Sequence, residues 1–419
     1  MGLMMREKVS VIRELGERYR RGGKREKGEV LDEVCKLTKY NRCYASQLLK
    51  HPKRGGQKKA GVGRGKAKRV RRRQYDDEVV RALKRIWVIM DCICGKRLAP
   101  NLREVIRVLE KWGELEVTVE VGKKLERISA STIDRLLCDE RKELMLGSRS
   151  RTKPGTLLKS QIPIRTFSEW DDARIGFVEI DLVGHDGGDG SGDFAQTLDA
   201  TDISSGWTET EAVRNKAQVH VFEALGQIRQ RLPFQLLGID SDNGSEFING
   251  PLLRFCQAEK ITFTRSRSGR KNDNCYVEQK NYSVVRRNVG YMRYDSDQEV
   301  ELLNRLYGRL RLYTNYFQPV MKLISKERAG ARVRKSYDIA KTPYQRLVGS
   351  PEVSKETKAK LRASYEKLNP AALKREITRL QDELIKVATA KVERPGSRET
   401  RAKRSEAHPW RTTWSRKQV

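Results

Sequence analysis

Long apolar runs are missing from this chain. Hydrophobic residues make up 37% of its 419 residues, enough for ordinary folded domains, but no stretch of about 18 consecutive apolar residues could span a bilayer. The first residues, 1–6, lack the apolar stretch and small-residue cleavage site of a secretory signal. We therefore expect a soluble protein that stays inside the cell and has no membrane partner.

Cysteine and histidine are also scarce. Seven Cys, an odd number, are scattered along the chain and do not resemble a disulfide framework. Cys92 and Cys94 have no second pair of Cys or His nearby at zinc-finger spacing. We expect reduced thiols and no structural zinc site.

Acidic residues are too few to balance the basic ones. Lys and Arg number 87 against 55 Asp and Glu, so the formal net charge is +32. Such a charge draws a chain to polyanions. Nucleic acid is the leading partner, although a ribosomal or membrane-surface protein would share this composition. The length of 419 residues predicts several structural units.

Two short helices are predicted near the start of the chain. Apolar residues recur at helical spacing over residues 29–37, and Asn41 offers an N-cap for a second helix. The inward residues of this second helix would be Tyr44, Ala45, Leu48 and Leu49, and its outward residues Arg42, Gln47 and Lys50. The pair fits either a helix-turn-helix that enters a DNA major groove or an ordinary helical hairpin. Beside so much positive charge we favour the helix-turn-helix.

A basic segment follows these helices. Residues 50–73 hold 12 Lys or Arg, no acidic residue and several Gly, a composition that cannot bury a core. The segment is either a solvated tether or a stretch that lies along phosphates or enters a minor groove. Its candidate DNA contacts are Arg64, Lys66, Arg71, Arg72 and Arg73.

Helical periodicity returns between residues 76 and 150. The segment closes with residues 128–137, where Ser131 and Asp134 would form a variant capping box ahead of an apolar helix. Two interpretations stay open: a second DNA-reading helix-turn-helix, or a structural helical bundle without DNA contact.

The apolar period changes to two beyond residue 166. Strand-like runs at 175–182, 194–201 and 207–213 suggest an antiparallel meander. Later strands at 234–239 and 261–264 alternate with helices at 216–231, 251–260 and 274–287. This order predicts an α/β layered domain.

Three acidic residues occupy positions typical of a metal site. Asp181 lies near the end of the first predicted strand, Asp242 follows the fourth, and Glu278 lies one turn into the last helix. Carboxylates at strand ends can converge, and hard cations such as Mg²⁺ need clustered oxygen ligands. A single Asp at a strand end is more often a turn former, so only the combination indicates phosphoryl-transfer chemistry.

The spacing of these acids matches a known pattern. Between Asp242 and Glu278 lie 278 − 242 − 1 = 35 residues, and Gly-Arg-Lys-Asn-Asp-Asn at 269–274 introduces the last helix. With Asp-Asn-Gly-Ser-Glu-Phe at 242–247, this resembles the integrase catalytic core of DDE-type transposases of bacterial insertion sequences and of retroviral integrases. The resemblance covers roughly residues 168–350. The chain departs from retroviral integrases in lacking their His-His-Cys-Cys zinc module.

The resemblance implies an RNase H-like core, a mixed five-stranded sheet with flanking helices. Asp181, Asp242 and Glu278 would be both the catalytic residues and the ligands of two Mg²⁺ ions, with Mn²⁺ as a substitute. Water would first cut DNA, and a DNA 3′-hydroxyl would then attack the target. The neighbouring acids are expected to be structural: Asp202, Asp240 and Glu246.

Partners follow from the same resemblance. Arg270 and Lys271 are expected to contact phosphate, and Asn243 and Asn274 either orient the metal ligands or are structural. Duplex DNA would be bound both as transposon ends and as target, by a homodimer or higher homo-oligomer in a synaptic complex. The expected location is the prokaryotic cytoplasm, at the nucleoid. The sequence does not indicate whether a helper ATPase takes part.

The sequence predicts six segments: a helix-turn-helix at 1–50, a basic linker at 51–75, a second helical DNA-binding domain at 76–150, the catalytic core at 166–320, a post-core segment at 321–350, and a C-terminal helix with a basic tail at 351–419. In the last segment apolar residues repeat at 4-3-4-3 spacing from 373 to 387. This stripe either pairs with another subunit or packs on its own chain.

Three classes of function compete: an active transposase, a nuclease that shares the core but lacks strand transfer, and a catalytically idle DNA-binding regulator. The complete acid triad argues against the regulator. The two candidate DNA-reading modules argue against a simple nuclease, because a recombinase must recognise the ends of its element. We therefore predict a transposase.

DNA binding is expected to weaken steeply with salt, because each phosphate neutralised by Lys or Arg releases bound counterions. The logarithm of the affinity should fall with the logarithm of salt concentration by about 0.9 for each phosphate contacted. Titration of a labelled duplex at several salt concentrations measures this slope. An affinity insensitive to salt would contradict binding to the DNA backbone.

Overall fold

The computed structural model describes residues 4–50, 74–143, 174–242, 244, 246–247, 250–265, 275–329 and 332–392. The chain divides into two compact units, Met1–Arg72 and Arg73–Val419. Every helix among the described residues is too short or too polar to cross a membrane.

Residues 4–50 of the first unit form three helices. They span Met5–Arg21 (α1), Lys24–Thr38 (α2) and Arg42–Lys50 (α3). Their interior is formed by Ile12, Tyr19, Val30, Val34, Ala45 and Leu49. The predicted helix pair therefore corresponds to α2 and α3, and α1 packs against both.

The turn between α2 and α3 follows local backbone chemistry. Lys39 adopts the left-handed conformation (φ 59°) that ends α2. The side chain of Asn41 accepts a hydrogen bond of 2.8 Å from the backbone N–H of Cys43, so Asn41 caps α3 as predicted. Tyr44 was expected inside but is 48% exposed and lies edge-on against Tyr40. The interior is filled instead by residues spaced one turn apart on α3.

Six α-helices and a 3₁₀ turn are described at the start of the second unit. They are Asp77–Ile89 (α4), Gly95–Leu98 (α5), the 3₁₀ turn Ala99–Asn101, Leu102–Lys111 (α6), Val119–Glu126 (α7), Ala130–Leu136 (α8) and Cys138–Glu143 (α9). The predicted Ser131–Asp134 capping box is wrong. Ser129 caps α8 by accepting from the N–H of Thr132, and the Asp134 carboxylate accepts a 2.8 Å hydrogen bond from the N–H of Gly95 instead.

A mixed sheet of five strands forms the centre of this unit, as predicted. The strands are Phe177–Gly184 (β1), Gln196–Asp202 (β2), Thr208–Val213 (β3), Gly238–Ser241 (β4) and Thr262–Arg265 (β5), in the order β3-β2-β1-β4-β5. The first three are antiparallel, and β4 and β5 run parallel to β1. β4 starts later than the predicted strand at 234–239, because Leu236 is buried in the core without joining the ladder.

The remaining elements surround the sheet or follow it. They are Gln218–Arg231 (α10), Gly250–Ala258 (α11), Cys275–Lys280 (α12), a π-helical turn Asn281–Arg286, Arg287–Val289 (α13), Asp297–Phe317 (α14), the hairpin Leu323–Ala329 (β6) with Arg332–Tyr337 (β7), Pro343–Gly349 (α15), Lys355–Glu366 (α16) and Pro370–Val392 (α17).

The two faces of the sheet differ in chemistry. Side chains alternate between faces along a strand, and Ile180, Leu198 and Ile239 pack in a buried apolar cluster with α10 and α11. The residues between them point to the opposite face, which carries four acids: Glu179, Asp181, Asp199 and Asp240. In β1, β4 and the middle of β2, one face of the sheet is therefore apolar and the other acidic.

Helices α4–α8 share a buried apolar cluster with the sheet and with α14–α17. The hydroxyl of Tyr313 in α14 donates to the carbonyl of Ile89 at the end of α4, and the guanidinium of Arg97 donates to the carbonyl of Pro319. Packing thus connects the helices before residue 144 with the elements after residue 173. The segment boundaries predicted at 150 and 166 lie outside the described residues and stay predictions.

The apolar stripe of the last helix packs on its own chain. Leu373, Ile377, Leu380 and Leu384 are buried with α14 in that same cluster, and Val387 lies against it. Of the two interpretations of the 4-3-4-3 spacing, the structure shows intrachain packing, because α14 provides the apolar surface that a second subunit would otherwise supply.

Substitution Ile377→Ala is expected to lower the free energy of unfolding by about 2–4 kcal/mol, since it removes a fully buried side chain and leaves a cavity. Chemical denaturation measures the change. Asp382→Ala, at an exposed position on the same helix, serves as the control and should have little effect. If Ile377→Ala instead weakened self-association and left unfolding of the single chain unchanged, packing on α14 would not be the role of this stripe.

Candidate active site

Two of the three predicted acids lie at neighbouring positions, one on a strand and one directly after the adjacent strand. In the parallel pair of β1 and β4, Ile180 lies opposite Ser241, so Asp181 and Asp242 are the next residues along each strand. Asp181 lies within β1, because that strand continues to Gly184. Asp242 directly follows β4, where its carboxylate accepts a 2.8 Å hydrogen bond from the N–H of Gly244. Both carboxylates therefore lie at neighbouring positions, one residue beyond the pair formed by Ile180 and Ser241.

The third acid, Glu278, stands on α12 and is exposed. Three residues later, the Asn281 side-chain amide donates a 2.6 Å hydrogen bond to the carboxylate of Asp181. Residues three apart on a helix share one face. The helix face that carries Glu278 is thus fixed beside β1.

The pKa of Asp181 depends on its own burial and on the charges of the other two acids. Burial raises the pKa of Asp181 to about 7, and the negative charges of Asp242 and Glu278 add to this rise. Hydrogen bonds from Asn281 and from the N–H of Leu182 act in the opposite direction. The structure therefore places the three predicted acids close enough for the charges of Asp242 and Glu278 to act on Asp181.

The donor set suits a hard divalent cation. Asp181, Asp242 and Glu278 offer only carboxylate oxygens, the ligands that Mg²⁺ and Mn²⁺ prefer, and a cation would relieve the repulsion that raises the pKa of Asp181. Within the described ranges, however, no group of three or more His, Cys, Asp or Glu side chains is gathered closely enough to form a complete metal cluster. The three side chains are thus of the right chemical type for a divalent cation. Their carboxylates, however, do not lie close enough together in this structure to bind one ion jointly.

A buried acid and a buried lysine lie next to this site. Asp199 on β2 is paired in register with Asp181. Burial raises the pKa of Asp199 well above its usual range, and the charge of Lys280 on α12 opposes this rise. Burial also lowers the pKa of Lys280 to about 8, against the opposite effect of Asp199. The acidic face is thus partly neutralised by the helix that carries Glu278.

Asp240 and Asp202, the two buried acids that we expect to be structural, accept hydrogen bonds from neighbouring strands and turns. The hydroxyl of Thr264 on β5 donates a 2.5 Å hydrogen bond to Asp240. Asp202 accepts from the N–H of Gly176 and from both the N–H and the hydroxyl of Ser205. These contacts tie neighbouring strands and a turn together.

The proposed DNA contacts of the first unit lie on α3. Arg42, Gln47 and Lys50 are all exposed there. Arg42 also forms an ion pair with Asp32 on α2. The other candidate contacts lie outside the described residues: Arg64, Lys66, Arg71, Arg72, Arg73, Arg270 and Lys271, as do Asn243 and Asn274.

Sequence reasoning missed two polar residues of the site. Glu179 is fully buried two residues before Asp181, and Asn281 lies three residues after Glu278. The signals were present: a strand with period two places Glu179 on the face of Asp181, and helical spacing places Asn281 on the face of Glu278. A charged residue within so apolar a strand required a partner.

The sheet order β3-β2-β1-β4-β5, with helices packed against the strands, defines a mixed α/β core. The chain belongs to the family of the "Uncharacterized protein y4rM" of Sinorhizobium fredii (strain NBRC 101917 / NGR234). The two are 39% identical over 344 residues, which cover 82% of this chain and 96% of the relative. No family model matches the sequence.

Two solved structures overlap with part of the chain. The catalytic core domain of BIV integrase is 17% identical, with a TM-score of 0.26, and covers 41% of this chain and 91% of its own. The HTLV-2 integrase catalytic core domain in complex with magnesium is 14% identical, with a TM-score of 0.26, and covers 34% of this chain and 88% of its own.

Substitution Asp181→Asn is expected to stabilise the metal-free protein at pH 8. The folded-state pKa of Asp181, about 7, lies above its ordinary value, so ionisation costs stability as pH rises from about 4 through 7. Because the side chain is partly accessible to water, we expect a gain of about 1–2 kcal/mol rather than the full linkage value.

Denaturation in the presence of a chelator, at pH 4.5 and pH 8, measures this gain. Asp382→Asn on the exposed face of α17 is the control and should change neither value. A gain of equal size at both pH values would show that ionisation of Asp181 is not its cause.

Proposed function

We propose that this chain is a DNA transposase that cuts and joins DNA with Asp181, Asp242 and Glu278. The observation that supports the proposal is the effect of Asp242 and Glu278 on the pKa of Asp181. Asp181 on β1 and Asp242 directly after the parallel strand β4 each follow the paired residues Ile180 and Ser241, and the charges of Asp242 and Glu278 both act on Asp181. The separation of 35 residues between the second and third acids is the one that the DDE resemblance requires.

The acids would bind divalent cations, with Mg²⁺ as the physiological ion and Mn²⁺ as a substitute. When bound, two such ions supply Lewis-acid activation of the attacking oxygen and stabilise the leaving oxygen in displacement at phosphorus. The contribution of the chain is to hold the three carboxylates in place. Asn281 orients Asp181 through its hydrogen bond of 2.6 Å, and the turn at Gly244 orients Asp242.

The charge of the chain supports DNA as the substrate. The excess of basic over acidic residues gives a net charge of +32, which would attract the DNA backbone. Exposed Arg42, Gln47 and Lys50 on α3 are suited to reading a major groove. The proposal treats α2 and α3 as the helix-turn-helix that recognises element ends, and Arg64, Lys66, Arg71–Arg73, Arg270 and Lys271 as phosphate contacts.

A functional assembly would contain at least two copies of the chain. Joining both ends of an element to one target needs two sites held together, and symmetric homo-oligomers are the usual solution. We therefore propose a homodimer or higher homo-oligomer that forms on DNA.

Mg²⁺-dependent joining of a pre-cut element end to plasmid DNA tests the proposal. We expect joining by the intact chain, and a loss of about 100-fold or more in Asp181→Asn, Asp242→Asn and Glu278→Gln, because each removes a negative metal ligand. Binding of the end, followed by electrophoretic mobility, should survive in all three variants.

Glu246→Gln provides a matched control, since it removes an acid four residues from Asp242 in the same turn region. It should join DNA within a few-fold of the intact chain. Cleavage without joining would identify a nuclease, and end binding without either reaction would identify a regulator. Joining that persists in the three variants would refute the assignment of the site.

A further inference from the structure

A fully buried carboxylate holds the start of the helix that carries Glu278. Glu179, on the acidic face of β1, accepts hydrogen bonds of 2.9 Å from the N–H of Tyr276 and 3.0 Å from the N–H of Val277. These are the second and third residues of α12, immediately before Glu278.

The contact answers a general need of helices. The first N–H groups of a helix have no partner within the helix, and a neighbouring side chain often accepts their hydrogen bonds. A carboxylate is the strongest acceptor for this purpose, because it also meets the positive end of the helix dipole. Here the acceptor comes from a strand about a hundred residues earlier, so the same bonds that cap α12 also fasten it to the sheet.

Glu278 lies between two such connections. On one side, the carboxylate of Glu179 holds the N–H groups of Tyr276 and Val277; on the other, Asn281 holds the carboxylate of Asp181. Glu179 and Asp181 are two residues apart and point to the same face of β1. The strand therefore contacts the helix before and after Glu278, which leaves its backbone little freedom to move along or away from the sheet.

We propose that Glu179 is a positioning residue that sets the place of Glu278 relative to Asp181. It acts through the backbone of α12 and does not itself bind a metal ion or DNA. This inference rests on the proposed function for its biological meaning, while the connection between β1 and α12 can be tested without DNA.

The residue type explains why the role is specific. An apolar residue at position 179 would leave two buried N–H groups without their acceptor, which is costly in the protein interior. Glutamine keeps one side-chain oxygen that can accept, but it loses the charge that strengthens both bonds. The expected order of function is therefore Glu, then Gln, then Leu.

Hydrogen exchange of residues 275–286 tests the connection directly. Glu179→Leu should speed amide exchange at Tyr276 and Val277 about tenfold or more, with a smaller increase in Glu179→Gln. Exchange in α14 should be unchanged.

Titration with Mn²⁺ alone, followed by electron paramagnetic resonance, tests the consequence for Glu278. The signal that Asp242→Asn abolishes defines binding at the site. Its midpoint should rise about tenfold in Glu179→Leu and less in Glu179→Gln, the range seen when residues behind metal ligands are changed. In the joining reaction, turnover should fall at saturating DNA while the affinity for the element end stays the same.

Glu299→Gln is the matched control. Glu299 is also fully buried and accepts hydrogen bonds from the N–H groups of Asp295 and Ser296 at the start of α14, in an element that carries none of the three acids of the proposed site. It should lower stability without moving the Mn²⁺ midpoint.

Two results would overturn the proposal: unchanged exchange and Mn²⁺ midpoint in Glu179→Leu, or an equal shift of the midpoint in Glu299→Gln. If Glu179→Leu does not fold, the same two measurements on Glu179→Gln decide. A wild-type chain that binds Mn²⁺ at this site but joins no DNA would refute strand transfer, and exchange with Mn²⁺ binding would still decide the role of Glu179.

Discussion

Carboxylates buried on one face of a sheet need donors or positive charge, and in this chain a single helix meets most of that need. The N–H groups that begin α12 satisfy Glu179, the charge of Lys280 acts on Asp199, and the amide of Asn281 binds Asp181. Water cannot replace these partners without entering the core. The acidic face and α12 are therefore stable only together.

The acids of this face fall into two groups. Glu179 and Asp240 have strong local donors in the N–H groups of α12 and in the hydroxyl of Thr264. Asp181 and Asp199 carry raised pKa values, because burial and the negative charges of neighbouring acids outweigh their partners. One oxygen of Asp199 accepts no hydrogen bond within the described part of the chain. Asp181 and Asp199 therefore lower the stability of the fold at or beside the candidate metal site, whereas the contacts of Glu179 and Asp240 stabilise the sheet. Such a division is common at functional sites.

Much of the core could be anticipated from the sequence. The change of apolar period from helix to strand located β1, β2, β3 and β5 within a few residues, because apolar and polar side chains alternate along most of these strands. The exception was β4, which is short and preceded by apolar residues that are buried outside the ladder. Propensity does not distinguish an apolar residue in a strand from one beside it.

The candidate site divides in a similar way. Asp181, Asp242 and Glu278 were chosen as candidates from their spacing along the chain, which a motif preserves. Glu179 and Asn281 were missed, because their importance lies in contacts made across about a hundred residues. The partner of the apolar stripe at 373–387 was also beyond the sequence, since periodicity defines an apolar face but not the surface that covers it.

The packing of α17 on α14 bears on how the protein can be divided in the laboratory. A fragment of residues 166–320, the natural choice from the motif alone, would expose the side of α14 that Ile377, Leu380 and Leu384 cover. It would also remove the carbonyl of Ile89 that accepts from Tyr313. A fragment that keeps the candidate site folded should therefore begin before Asp76, which caps α4, and end after Val392. Shorter fragments would expose the apolar side of α14 to solvent and would aggregate through it. Such aggregation would say nothing about the chemistry of the site.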